Sequence, residues 1–443
     1  MSEVIPVIGG GLAGCEAAWQ LARRGVRVRL YEMRPLRASP AHTSDALAEL
    51  VCSNSLRSDQ QGNAIGLLHE EMRRLGSLVL EAADATRVPA GKALAVDRTG
   101  FSSWITGRIE SEPRIALVRE EVHALPDPVA IVATGPLTSD ALAQSIADLC
   151  GGSLYFYDAI SPIVYLDSLD RERIYRASRY EEGEGDYLNL PLDEAQYRSF
   201  VEELCRAETV PLQRFEAALY FEGCLPIEVM AQRGEKTLAH GPMKPVGLVD
   251  PRTGEQSYAV VQLRQEDKTG ALFNLVGFQT RMRIGEQKRV FRGLPGMERA
   301  VFARFGSAHR NTFIRAPAQL GPELDHLERP GLYFAGQIAG VEGYVESAAL
   351  GLLAGIHAAR RVRGESPCAP PRASALGSLV AYLNEARPKG FQPMNVNYGL
   401  FPPLEGGGRR VPKPERNRQM SERALSELAP FISQVGEPAW SRE

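Results

Sequence analysis

The run Gly9-Gly10-Gly11-Leu12-Ala13-Gly14 constrains this 443-residue chain more than any other segment, because of what stands on either side of it. Val4-Ile5-Pro6-Val7-Ile8 before it reads as a strand, and Ala17, Ala18, Leu21 and Ala22 after it follow a helical pattern that stops at Gly25. A second apolar alternation, Val26 to Leu30, ends in Tyr31-Glu32. Strand, glycine turn, helix, strand and acid in that order form the opening of a dinucleotide-binding βαβ unit. Gly9 makes the tight turn, Gly11 lets the backbone approach a pyrophosphate, and Gly14 allows close packing of helix on strand. The helix start adds unpaired N–H groups and a partial positive charge. Glu32 lies 18 residues after Gly14, where a carboxylate accepts hydrogen bonds from ribose hydroxyls.

Bulk properties set limits rather than a function. The formal net charge of −3 excludes a polyanion binder by overall composition, so any nucleic-acid contact has to come from local patches. No apolar run approaches the roughly 20 residues of a membrane helix, and the N-terminus opens directly into a strand with no room for a signal peptide. A cytoplasmic protein without membrane attachment is expected. The cysteines at 15, 52, 150, 205, 224 and 368 form no C-x-x-C pair and no Cys/His zinc spacing, so free thiols and no metal are expected. Cys15, Cys150, Cys205 and Cys368 read as packing or surface residues.

After a helical stretch over Ile65 to Leu75, Ile115 to Val118 reads as a strand, and Val129 to Gly135 as a buried strand ending in Ala-Thr-Gly. From about Tyr157 to Arg315 short alternating runs mix with one amphipathic helix, Glu194 to Cys205, which reads as an α+β insertion. Residues 281–315 hold nine Arg/Lys against two Glu, a local charge of 9 − 2 = +7; such a run is either a solvated face or a polyanion contact. The first unit then resumes. Gly331 to Gln337 is a strand running into Gly336, and Glu342 to Ser347 leads into a small-residue helix, Ala348 to Arg360. Strand ends at Gly9, Gly135 and Gly336 that all meet a turn are how a flavin dinucleotide is held in glutathione-reductase-type flavoproteins, so FAD is the expected cofactor. No second G-x-G-x-x-G marks a separate NAD(P)H domain. The expected fold is therefore α/β: a glutathione-reductase-type FAD-binding Rossmann domain (1–156 and 316–443) with a smaller α+β insertion domain (157–315). A short helix, Ala375 to Asn384, leads to a basic tail carrying Arg409, Arg410, Lys413, Arg416 and Arg418.

Taken together, Gly9–Gly14, Tyr31 to Pro35, Pro40-Ala41-His42, Glu49 to Arg57 around Cys52, Gly223 to Glu228 around Cys224, and Tyr333 to Gly336 resemble the folate- and FAD-dependent tRNA (uracil-5-)-methyltransferases over nearly the whole chain. The resemblance implies methylation of the T-loop uridine of tRNA to ribothymidine. It also implies 5,10-methylenetetrahydrofolate as carbon donor, reduced FAD as reductant and NAD(P)H as electron source. The family of wobble-uridine modifiers shares the flavin scaffold but is typically longer at its C-terminus.

That chemistry needs a thiolate to add to C6 of uracil, a group to remove the C5 proton, and a hydride for the resulting methylene. Cys224 is assigned as the C6 nucleophile, with Glu228 as a possible orienter, and Cys52 to proton abstraction or methylene handling beside the flavin; the two roles are exchangeable. Cofactor binding is assigned to Gly9, Gly10, Gly11, Leu12, Ala13, Gly14, Glu32, Asn54, Arg57, Val118, Thr134, Gly135, Gly336, Gln337, Tyr344, Glu346 and Ser347. Tyr344 either stacks on flavin or pterin or is a core tyrosine. Arg283, Lys288, Arg289, Arg409, Arg410 and Lys413 are candidates for tRNA phosphates. Three other readings stay open: a related wobble-uridine modifier, a generic FAD oxidoreductase acting on a small molecule, and a flavin-carrying RNA-binding protein without catalysis.

Overall fold

Strand Val4–Ile8 lies in a six-stranded sheet whose order is 325–326, 329–334, 130–132, 4–8, 27–32, 115–119. The five longer strands are parallel, and only Asp325–His326 runs against its neighbour. Pro6 sits in a central strand without breaking it. The pairing with 130–132 begins only at Val7, so the missing Pro6 amide falls where a single neighbour is engaged. Helix Leu12–Arg23 follows the glycine turn and is buried from Leu12 to Ala22. It can be buried so deeply because helix Tyr344–Val362 crosses it on two glycines. A Cβ on Gly351 would come within 2.1 Å of the Ala13 carbonyl, and one on Gly355 within 2.6 Å of the Ala17 carbonyl.

The computed structural model describes residues 4–39, 41–152, 154–181, 183–210, 225–404 and 411–436. Two hydrophobic cores divide them. One gathers apolar residues from Ile5 to Cys150 and from Phe313 to Val435, the other from Val164 to Ala300. The second core lies under an antiparallel sheet of order 175–176, 188–192, 259–265, 272–275, 163–165, 302–304, with helices Glu194–Arg206 and Ile284–Phe291 against it. Strands Leu154–Ile160 and Ser307–Phe313 pair antiparallel as a two-stranded ribbon between the two bodies. The boundaries expected at 156/157 and 315/316 fall inside this ribbon and just beyond it.

The basic tail contains more structure than its sequence pattern suggested. Lys413–Val435 is a helix whose buried positions Asn417, Met420, Ala424, Leu428, Phe431 and Val435 recur every three or four residues. It packs on helix Ala64–Arg74.

Candidate functional site

The carboxyl ends of the parallel strands open into a solvent-connected cavity, where a dinucleotide sits in folds of this kind. Gly9, Gly10, Gly11, Leu12 and Ala13 form one wall; Glu32, Thr134, Gly135, Gly336, Gln337, Tyr344 and Ser347 also line it. Gly9 has φ +105°, and a Cβ there would lie 2.5 Å from the Ala133 carbonyl, so the tight turn requires glycine. At Gly11 a Cβ would meet no protein atom within 4 Å. The backbone is thus bare on the side of the cavity. Gly11 caps the helix without any side-chain acceptor for the first amides, which leaves those donors for an anion. A pyrophosphate fits this cradle.

Gly14 does not line the cavity; its Cβ would strike the Gly9 carbonyl at 1.8 Å, so it serves the turn by close packing. Glu32 is buried and accepts the Gly10 amide at 3.0 Å on one oxygen and the Arg34 amide and Nε at 3.0 and 2.9 Å on the other. Burial alone would raise its pKa, but Arg34 and the two amides outweigh that and hold it below the ordinary carboxylate range. An ionised carboxylate with about four lone-pair sites still has capacity for a ribose hydroxyl. Arg34 continues to Glu49 at 3.4 Å and the Ser44 carbonyl at 3.1 Å. His42, also in the lining, contacts Ser39 Oγ through Nδ1 at 2.5 Å. Burial and then Arg34 depress its pKa to about 4, so the ring is neutral near pH 7.

Four of the sequence-assigned cofactor residues are engaged elsewhere. Asn54 is fully buried and donates to the Val96 and Gln265 carbonyls at 2.8 and 2.9 Å. It accepts from Arg264 Nε at 2.8 Å, so it fastens the Cys52 loop to the insertion domain. Arg57 pairs with the buried Glu346, which also accepts the Val396 amide at 2.9 Å. Val118 lies within strand Ile115–Arg119 opposite Tyr31, and the cavity wall there is built from Glu120 to Val122, beyond the strand end.

Cys52 is half-buried at the edge of this cavity, next to the lining residue Val51. The Cys52 and Ser53 amides donate to Tyr344 Oη at 2.7 and 3.2 Å, and Cys52 Sγ lies 2.9 Å from the same oxygen. A hydroxyl has two acceptor lone pairs and one proton. The Cys52 thiol is the third donor to that oxygen. Burial, then the neighbouring Cys52, push the Tyr344 phenol well above its ordinary pKa, so it keeps its proton. Behind the loop, Arg98 donates to the Leu50 carbonyl and, at 2.9 and 2.8 Å, to Glu266. Arg304 reaches the Ala41 carbonyl at 3.0 Å. Burial, then Arg98, lower the Arg304 pKa, while Tyr344, Glu49 and Cys52 act the other way. Sequence reasoning gave Arg34, His42, Arg98 and Arg304 no role. Arg34 carried a local signal, two residues after Glu32; Arg98 and Arg304 become neighbours only through the fold.

Cys224, Arg409 and Arg410 lie outside the described residues. Glu228 is buried and accepts Thr280 Oγ1 at 2.8 Å and the Arg281 amide at 3.0 Å. Among the described residues, Arg281, Arg283 and Arg289 of the basic run face carboxylates. Arg283 faces Glu208 at 3.7 Å, Arg289 pairs with Glu203 and Glu286, and Lys288 lies 5.4 Å from the Phe305 ring centre. Lys413 is exposed at the first position of the C-terminal helix. Among the described residues no cluster of three or more His, Cys, Asp or Glu suits a metal ion, and no helix is long and apolar enough to cross a membrane.

The family described as Glucose inhibited division protein A (GIDA) matches residues 4–366. A Geobacter sulfurreducens protein named methylenetetrahydrofolate--tRNA-(uracil-5-)-methyltransferase TrmFO is 60% identical over 98% of this chain and 100% of its own length. A protein of the same name from Pelobacter propionicus is 57% identical over 99% of this chain and 97% of its own. The solved structure of Aquifex aeolicus GidA in its form I crystal superposes with a TM-score of 0.68 at 18% identity, covering 98% of this chain and 77% of that one. That likeness establishes the fold.

Proposed function

The chain belongs to the methylenetetrahydrofolate--tRNA-(uracil-5-)-methyltransferase family, and we propose that it methylates C5 of the T-loop uridine in tRNA. Methylenetetrahydrofolate supplies the carbon, and NAD(P)H supplies electrons through FAD. When bound, FAD provides the hydride capacity that reduces the one-carbon unit to a methyl group.

The observation that carries this reading is the Cys52–Tyr344 pair at the edge of a nucleotide cradle. The glycine wall and Glu32 hold pyrophosphate and ribose, which fixes the cofactor's position relative to the thiol. Tyr344 holds the Cys52 loop through two amides and contacts Sγ itself, which fixes the thiol for C5 proton abstraction or methylene transfer. Arg98 and Arg304 add positive charge behind the same loop. A neutral His42 presents one N–H donor and one acceptor nitrogen in the cavity wall. Cys224 takes the C6 position, adding to uracil so that C5 becomes nucleophilic. The T-loop base must leave its stack to reach either thiol.

Incubating unmodified tRNA with the protein, NAD(P)H and methylenetetrahydrofolate labelled in the methylene carbon tests the reading. Label is expected in tRNA. Label that stays in the folate pool while NAD(P)H is consumed overturns it.

A further inference from the structure

A second groove lies between the start of helix Ala64–Arg74 and the C-terminal helix Lys413–Val435. It spans about 1540 Å³, is open to solvent, and presents Arg57, Ser58, Asn63, Tyr398, Lys413 and Arg416. None of its described lining residues is acidic. Its walls are fixed to one another. Asn417 Nδ2 donates to the Gly62 carbonyl at 3.0 Å, Ser421 Oγ and Tyr398 Oη donate to the Gln61 carbonyl at 2.6 and 3.2 Å, and Asn63 Nδ2 donates to Ser58 Oγ at 2.8 Å. The groove is therefore preorganised.

The charge at Lys413 and Arg416 differs from that at Arg283 and Arg289 of the basic run. Arg283 and Arg289 face glutamates, and on the C-terminal helix itself Arg418 pairs with Glu415 and Glu422. Lys413 and Arg416 have no acidic partner among the described residues. Lys413 also stands in the first turn of a 23-residue helix, where the helix dipole opposes a cation. Helix formation does not explain it there. Arg57, on the opposite wall, holds the left-handed backbone at φ +67° that non-glycine residues rarely adopt. Its guanidinium is shared with Glu346, two residues beyond Tyr344.

We propose that this groove holds the sugar-phosphate backbone of the tRNA substrate, with Lys413 and Arg416 on phosphates. The proposal rests on the reading of the protein as a tRNA methyltransferase. Side-chain cations without acidic partners among the described residues, on a rigid wall, match a chain of phosphates, where affinity comes from counterion release and carries little sequence information.

The test is tRNA binding by the full-length, FAD-loaded protein across a salt series, comparing wild type with Lys413→Gln/Arg416→Gln. Loss of two phosphate contacts is expected to lower the log–log salt slope by about 1.4–1.8 and to weaken binding at least about tenfold at low salt. Flavin content and flavin reduction by NAD(P)H report that the variant is folded and are expected to be unchanged. Wild-type affinity and slope in the double variant overturn the groove assignment. So does a change confined to the KM for polyglutamylated folate, which would make the groove a site for an anionic folate tail. Absence of methyl transfer by the wild-type protein sinks the functional reading instead, and is scored separately from tRNA binding.

Discussion

Tyr344→Phe removes one oxygen and leaves the ring that lines the cavity. That oxygen accepts the Cys52 and Ser53 amides and contacts Cys52 Sγ. Leaving a fully buried donor unpaired costs about 1–3 kcal/mol. Cys52 and Ser53 are half-buried, so water replaces part of the loss and about 1 kcal/mol per amide is the better figure. The total of about 2 kcal/mol falls on the loop geometry that places the thiol, and corresponds to about a 30-fold drop in rate. Single-turnover methylation at saturating tRNA and folate is the assay, with iodoacetamide labelling of Cys52 as the second readout. Methylation is expected to slow and labelling to change, because the sulfur loses the contact that fixes it, while FAD content and tRNA affinity hold. Rates within twofold of wild type on both readouts would refute the reasoning.

Gly11→Val is expected to give a folded, colourless protein. The new side chain meets no protein atom but projects where the pyrophosphate lies, so a normal melting curve with no flavin absorbance is the outcome to look for. His42 has its pKa lowered from 6.5 to about 4, so below 6.5 the unfolded chain takes up a proton that the folded chain refuses. Its contribution is fully present above pH 6.5 and is lost between 6.5 and 4, at most about 3 kcal/mol; His42→Asn should flatten the fall of Tm over that window, and an unchanged pH profile would count against it. Arg98→Met leaves Oε2 of the buried Glu266 without its two donors, with only Arg264 at 3.9 Å from the other oxygen, and should cost about 3–5 kcal/mol in denaturant unfolding.

The dinucleotide cradle was legible because its parts are local. Gly9 to Gly14, Glu32 and the flanking strand and helix lie within one short stretch, and Gly14 answers to a contact inside it, although Gly9 packs against the distant Ala133 carbonyl. Residues chosen by proximity to a motif fared differently. Asn54 is two positions from Cys52 yet turns toward Arg264 and Gln265, because the loop is tied to a strand from the other body. Val118 lies on a strand, whereas the cavity forms past the strand ends, at Glu120 to Val122. Arg98 and Arg304 reach the Cys52 loop from about fifty and two hundred and fifty residues away, a separation at which no periodicity or spacing speaks. The C-terminal helix was written in the spacing of Met420, Ala424, Leu428 and Phe431, but its many charges masked that stripe.

Nucleoside analysis of tRNA tests the central claim most directly. Unmodified tRNA is incubated with the FAD-loaded protein, methylenetetrahydrofolate and NAD(P)H, digested and read by mass spectrometry. The expected product is 5-methyluridine from the T-loop, absent when the folate is omitted. A modified nucleoside at the wobble position, or an unaltered uridine despite oxidation of NAD(P)H, would contradict it.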